Sequence, residues 1–167
     1  MDRFEVGDVA VYQDQGLGRI TAVGRIQVGG SDLEVYTVRL ETNGVILRVP
    51  TDRAERNGLR SVTPPEAVAA VFEVLRAHAE APREKSWNRR QRALNERMRT
   101  GNLLEIAALL RDLNSLAHRR KEDLSHGERQ LLTQARAFVT QEVAASLHRP
   151  VDDVAHDLDA VLGLQTA

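Results

Sequence analysis

Alternating apolar and polar positions dominate the first part of the chain. Short alternating runs cover residues 9–12, 19–23, 26–28, 33–40 and 45–49. Glycine-rich turns separate them, among them Gly29-Gly30 and Asn43-Gly44, and Asn-Gly is the strongest short hairpin signal. The pattern predicts a small, strongly bent sheet, a Tudor/SH3-like five-stranded β-barrel.

From Pro64 onward the apolar spacing becomes that of helices. Pro64-Pro65-Glu66 is typical of a helix start, and apolar residues then recur every three to four positions. Further helices are predicted to begin at Ser86, Leu103, the Ser125–Glu128 capping box and Pro150. The third predicted helix ends at Arg119-Arg120-Lys121. The predicted fold class is α+β, with a β-domain over residues 1–62 and an all-α helical domain over residues 63–167.

The charge of the chain is unevenly distributed. Apolar residues make up 42% and charged residues 28%, with a net charge of −1, as in ordinary globular proteins. Residues 76–100, however, hold a local excess of five positive charges, whereas residues 150–167 hold four aspartates and no Lys or Arg. A local positive surface suits nucleic acid, and a near-neutral total indicates modest DNA affinity that a second partner supplements.

The single tryptophan, Trp87, lies inside this basic segment. One interpretation is a wedge that meets DNA bases while the neighbouring cations hold phosphates. The other is a Trp packed between domains with solvated arginines around it, because a large apolar ring gains most from burial. The residue pattern alone leaves both interpretations open.

Signals for catalysis are missing from the sequence. It contains no cysteine, no phosphate-binding glycine loop and no pair of histidines four residues apart, so no catalytic residue, cofactor or metal site is predicted. Asp152 and Asp153 are explained by a helix start, where carboxylates interact favourably with the helix dipole. The chain is therefore not expected to be an enzyme. Without signal-peptide features or a long apolar stretch, a cytoplasmic location is predicted.

Several short motifs, in this order, resemble those of the CarD/CdnL family of bacterial transcription factors. They are Phe4-Glu5-Val6-Gly7-Asp8-Val9-Ala10-Val11-Tyr12, Arg48-Val49-Pro50, Trp87-Asn88-Arg89-Arg90, Arg111-Asp112-Leu113 and Leu124-Ser125-x-x-Glu128-Arg129 before Ala135-Arg136. The resemblance covers nearly the whole chain. Two positions depart from it. Gln13 stands where the family commonly has proline, and Ile26 stands, beside Arg25, where actinobacterial relatives carry a polymerase-contacting arginine.

The resemblance implies that the N-terminal domain binds the β subunit of RNA polymerase, partly by strand pairing. The expected polymerase contacts are Arg25, Val38, Arg48, Val49 and Pro50. The helical domain would contact promoter DNA upstream of the −10 element, largely independently of sequence, with Trp87 wedged in the minor groove. The cations expected to contribute there are Arg89, Arg90, Arg92, Arg97 and Arg99.

The expected result is a longer-lived open complex at ribosomal RNA and other housekeeping promoters, produced by a monomer without a cofactor. An alternative stays open, in which the chain is a divergent paralogue or a protein-only adaptor. In that case the polymerase contacts are altered and Trp87 is buried between the domains.

Overall fold

A computed structural model of the chain describes residues 3–119 and 124–163. The chain divides into two compact units, Met1–Val62 and Thr63–Ala167. The division falls where the apolar spacing changes from that of strands to that of helices. Within the part of the chain that the structure describes, no helix has the length and apolar character needed to cross a membrane.

The first unit is an antiparallel sheet of five strands. The strands are β1 (Val9–Tyr12), β2 (Gly16–Val28), β3 (Ser31–Leu40), β4 (Ile46–Pro50) and β5 (Leu59–Ser61). Their order in the sheet is β4-β3-β2-β1-β5, which confirms the predicted Tudor-like β-domain. Its core contains Ile20, Val38 and Val49, and the Phe4 ring lies edge-on to Tyr36 with 5.5 Å between ring centroids. Strand β4 forms one edge of the sheet.

Strand β2 differs from its predicted form. The sequence indicates two strands, 19–23 and 26–28, interrupted at Gly24. In the structure Gly24 lies inside one continuous strand, opposite Val35. The tight turn comes later, at Gly29 and Gly30, whose φ angles of 58° and 81° are readily adopted by glycine. A lone glycine in extended backbone therefore does not end the strand, and the turn falls where two glycines supply positive φ.

Gln13, the first of the two departures from the motifs that the sequence resembles, is explained by its backbone. Its φ is 45°, and its N–H donates to the Gly58 carbonyl at 2.9 Å. Its side-chain amide donates to the Asn57 carbonyl at 2.9 Å. Proline has no N–H and a φ fixed near −65°, so it could not take this place. Gln13 instead ties the end of β1 to the residues that lead into β5.

Within its described residues, the second unit contains five α-helices. They are α1 (Val68–Arg76), α2 (Trp87–Arg99), α3 (Leu103–Arg119), α4 (His126–Leu147) and α5 (Val151–Leu162). Their apolar faces bury residues such as Leu94, Ile106, Leu110, Val139 and Leu158. Helix α3 ends at Arg119 as described, and Arg120 and Lys121 of its predicted end lie outside the described residues.

The starts of α2 and α4 differ in their capping. At α4 the predicted capping box is confirmed. The Glu128 N–H donates to Ser125 Oγ at 3.2 Å, and the Ser125 N–H donates to Glu128 Oε2 at 2.9 Å. Ser86 occupies the predicted N-cap position of α2, but its side chain accepts no capping hydrogen bond. The first-turn N–H groups of α2 therefore receive no such cap from Ser86.

Candidate functional site

Trp87 is the first residue of α2, and its side chain is 53% exposed. In an α-helix the Cα–Cβ bond tilts toward the N-terminus. An aromatic side chain at the first position therefore projects past the end of the helix. The ring is thus not a core residue of the helical unit, although such rings usually gain from burial.

Three arginines of α2, Arg89, Arg92 and Arg99, are exposed. At 3.6 residues per turn they lie about 120–160° around the helix from Trp87. The row that begins with Trp87 continues instead through Leu94 and Met98, which are buried. Exposed cations and ring therefore occupy opposite sides of the helix. Among the exposed arginines of α2, Arg89 is the one nearest to Trp87 along the chain, two residues after it.

Arg90 lies in a different environment. Its side chain is 15% exposed, and its Nη2 is 3.0 Å from Oε1 of Glu128, whose side chain is 1% exposed. Glu128 is also the carboxylate of the α4 capping box. Moving Arg90 to a DNA phosphate would break its ion pair with this buried carboxylate, which is costly. Arg90 therefore joins α2 to the start of α4.

Arg97 is also held by carboxylates. Its Nη1 donates to Oδ2 of Asp112 at 3.1 Å, and its Nε is 3.8 Å from Oε2 of Glu105. Arg90 and Arg97 are seven residues apart, so both lie on one side of α2. The structure therefore brings three of the five predicted DNA-contacting arginines to open surface and ties the other two to acidic residues. The acidic partners Asp112 and Glu128 fall within the family motifs, but their pairing is not visible in the sequence.

In the β-domain, the two-residue period of β4 separates its side chains. Ile46 and Arg48 point outward and are exposed, and Pro50 lies on the same face. Val49 faces the core and is 3% exposed, so it supports the strand and does not offer its side chain to a partner. Ile46 was missed by the sequence analysis, although its spacing of two residues from Arg48 is the signal that finds it.

Val38 and Arg25 do not share the surface of Arg48. Val38 is fully buried on β3, which pairs with β2 on one side and with β4 on the other. It therefore has neither side chain nor free backbone for a partner. The register aligns Ala22, Thr37 and Arg48, which places Ile26 on the face of Arg48 and Arg25 on the opposite face. Val38 is therefore not part of the surface that carries Arg48 because it is buried. Arg25 is not part of that surface because it lies on the other face of the sheet.

The described side chains offer no site for a metal ion. Across residues 3–119 and 124–163 there is no group of three or more His, Asp or Glu residues that could hold one. Among the described residues, the chain therefore combines a β-domain, in which β4 is an edge strand, with a helical unit that has a tryptophan at the start of a basic helix.

Comparison with known proteins identifies the family. The family model described as "CarD, C-terminal domain" matches residues 70–159. The model described as "CarD-like/TRCF RID domain" matches residues 4–63. The chain belongs to the CarD family of transcription factors, which confirms the resemblance indicated by its motifs and assigns it a role in transcription regulation.

Two individual proteins are similar to this chain. The chain is 25% identical over 140 residues to "Putative transcription factor YdeB" of Bacillus subtilis (strain 168), a match that covers 84% of this chain and 90% of that protein. It is 34% identical to the protein in the solution NMR structure of the 72-residue N-terminal domain of Myxococcus xanthus CarD. That match covers 35% of this chain and 79% of the other, with a TM-score of 0.31.

Proposed function

We propose that the chain docks on RNA polymerase through its β-domain and prolongs the life of the open promoter complex through Trp87. Domains of the CarD-like/TRCF RID kind mediate interaction with RNA polymerase in this family, and residues 4–63 match that kind. The observation that carries the proposal is the half-exposed Trp87 at the start of α2, within a locally basic segment.

Strand β4 supports the docking step. In the described part of the chain, no strand pairs with its outer edge. A strand of the polymerase β subunit could add there, since an open edge presents unpaired N–H and C=O groups. Ile46 and Arg48 project beside this edge and supply an apolar contact and a cation for a carboxylate. Pro50 lacks an N–H and limits the pairing at the end of the strand.

The start of α2 supports the DNA step. Its first-turn N–H groups and the Arg89 guanidinium suit a phosphate, because a helix N-terminus carries partial positive charge. Trp87 beside that phosphate would stack on bases at the edge of the open region in the minor groove, near the −10 element. Arg92 and Arg99 lie about 7 Å and 18 Å from Trp87 along the helix axis. They would hold backbone phosphates without reading sequence.

The two steps depend on each other. The chain carries a net charge of −1, and two arginines of α2 are engaged by carboxylates. Electrostatic attraction to DNA is therefore weak for the free protein. Docking on polymerase raises the effective concentration of Trp87 at the promoter, which makes a weak contact sufficient.

The proposal is tested by the lifetime of open complexes formed by purified polymerase at a ribosomal RNA promoter after addition of a DNA competitor. Loss of stacking worth about 1–3 kcal/mol predicts that Trp87→Ala shortens the protein-dependent lifetime at least about fivefold. Binding to polymerase should be retained. Leu104→Ala, which removes another exposed apolar side chain, is the matched control and should behave like the wild type.

An undiminished lifetime with Trp87→Ala would exclude the wedge. Fluorescence of the free protein distinguishes the proposed exposed ring from the alternative, a ring buried in a protein-only adaptor. A blue-shifted Trp87 emission that is shielded from quenchers would support a protein-only adaptor with a buried ring, whereas a red-shifted, quenchable emission supports the exposed ring.

A further inference from the structure

The segment that leads from α1 to Trp87, residues 77–86, has no regular secondary structure. A groove of about 470 Å³ lies beside it, lined by Ala81 and Pro82 of the segment and by Ala93 and Leu94 of α2 among others. Near the middle of the segment its backbone is bound to α3, because the Glu80 N–H donates to Oδ1 of Asp112 at 3.0 Å.

Asp112 connects this segment to two helices. Its Oδ1 also accepts from Arg111 Nε at 2.9 Å, and its Oδ2 accepts from Arg97 Nη1 of α2 at 3.1 Å. Arg111 in turn donates through Nη1 to the Val74 carbonyl of α1 at 3.2 Å. The Asp112 side chain is 9% exposed, so the carboxylate that accepts these charge-assisted bonds is itself largely shielded from water.

We propose that Asp112 is a positioning residue that determines where Trp87 is presented. Its carboxylate holds the chain at Glu80, seven residues before Trp87, and α2 at Arg97, ten residues after it. One side chain of α3 therefore contacts the chain both before and after Trp87. The expected effect at the promoter rests on the proposed function, because only there would a displaced Trp87 ring fail to meet the bases.

Asp112→Asn is the informative variant. The amide keeps the size of the side chain, but it removes the negative charge that binds Arg97 and Arg111 and turns one acceptor into a donor. Asp159→Asn is the matched control. Asp159 accepts from Arg136 Nη2 at 2.7 and 2.8 Å and joins α4 to α5, away from the residues that lead to Trp87. Both variants remove an arginine–carboxylate pair from the same unit.

The first measurement is time-resolved fluorescence anisotropy of the free full-length protein, in which Trp87 is the single tryptophan. Asp112→Asn is expected to raise the amplitude of fast ring motion roughly twofold, since loss of a tie permits nanosecond segmental motion. Asp159→Asn should leave it unchanged. An unchanged anisotropy in Asp112→Asn, or an equal rise in both variants, would overturn the positioning role.

The second measurement is the open-complex lifetime. Asp112→Asn is expected to shorten the protein-dependent lifetime roughly fivefold, and to add nothing in a Trp87→Ala background, because both changes act through the same ring. Additive effects would contradict the inference. If Trp87→Ala alone had no effect, the proposed function would fail, while the anisotropy of the free protein would still decide whether Asp112 positions Trp87.

Discussion

Strand β4 and helix α2 both carry residues that the sequence marks as contacts, but a different feature of the structure separates the exposed residues from the enclosed ones in each element. In β4 the two-residue period is enough, because it turns Arg48 outward and Val49 inward. In α2 the spacing is not enough. Arg90 and Arg97 are engaged by Glu128 of α4 and Asp112 of α3, whereas Arg89 stays exposed. A basic run in a helix is therefore not a uniform basic surface.

The largest effect is expected on protein stability, at the side of α2 whose arginines pair with carboxylates. Arg90→Ala should lower the free energy of unfolding of the helical unit by about 3 kcal/mol, because it removes a cation that pairs with the buried Glu128 carboxylate. Arg89→Ala, at an exposed neighbour, should stay within about 0.5 kcal/mol of the wild type. Denaturant unfolding followed by the helical circular dichroism signal measures both. Equal stability of the two variants would show that the ion-paired Arg90 matters no more to the fold than the exposed Arg89.

An intermediate effect is expected on the outer face of β4. Arg48→Glu should weaken binding to a polymerase β-subunit fragment roughly tenfold, because it reverses the charge beside the open edge. Arg25→Glu, on the opposite face of the sheet, should bind like the wild type. Calorimetric titration gives both affinities. A loss in Arg25→Glu as large as that in Arg48→Glu would show that the partner approaches the other face.

The smallest effect is expected on the exposed side of α2. Arg89→Ala and Arg92→Ala should each reduce the magnitude of the slope of log affinity for duplex DNA against log salt by about 0.9, as for one phosphate contact. Arg97→Gln should leave the slope unchanged, since Asp112 already engages that guanidinium. Fluorescence anisotropy titrations of labelled DNA at several salt concentrations provide the slopes. An equal reduction with Arg97→Gln would mean that its ion pair opens on DNA.

Much of the fold follows from local patterns. The alternating runs predicted the β-domain, the capping box at Ser125 predicted the start of α4, and the change of apolar spacing near residue 63 coincides with the division into two units. These features depend on residues close together in the chain. The prediction of two separate strands in place of the continuous β2 was wrong, because a glycine in extended backbone and a glycine in a turn look alike in the sequence.

By itself, the sequence determined the family, the class of each domain and the placement of Trp87 among cations. Tertiary structure alone decided which of those cations are open, which face Arg25 occupies, and that Val38 is enclosed by strands on both sides. The reason is physical. Burial and ion pairing depend on groups contributed by distant parts of the chain, such as Asp112 and Glu128, and local spacing carries no information about which distant group will arrive.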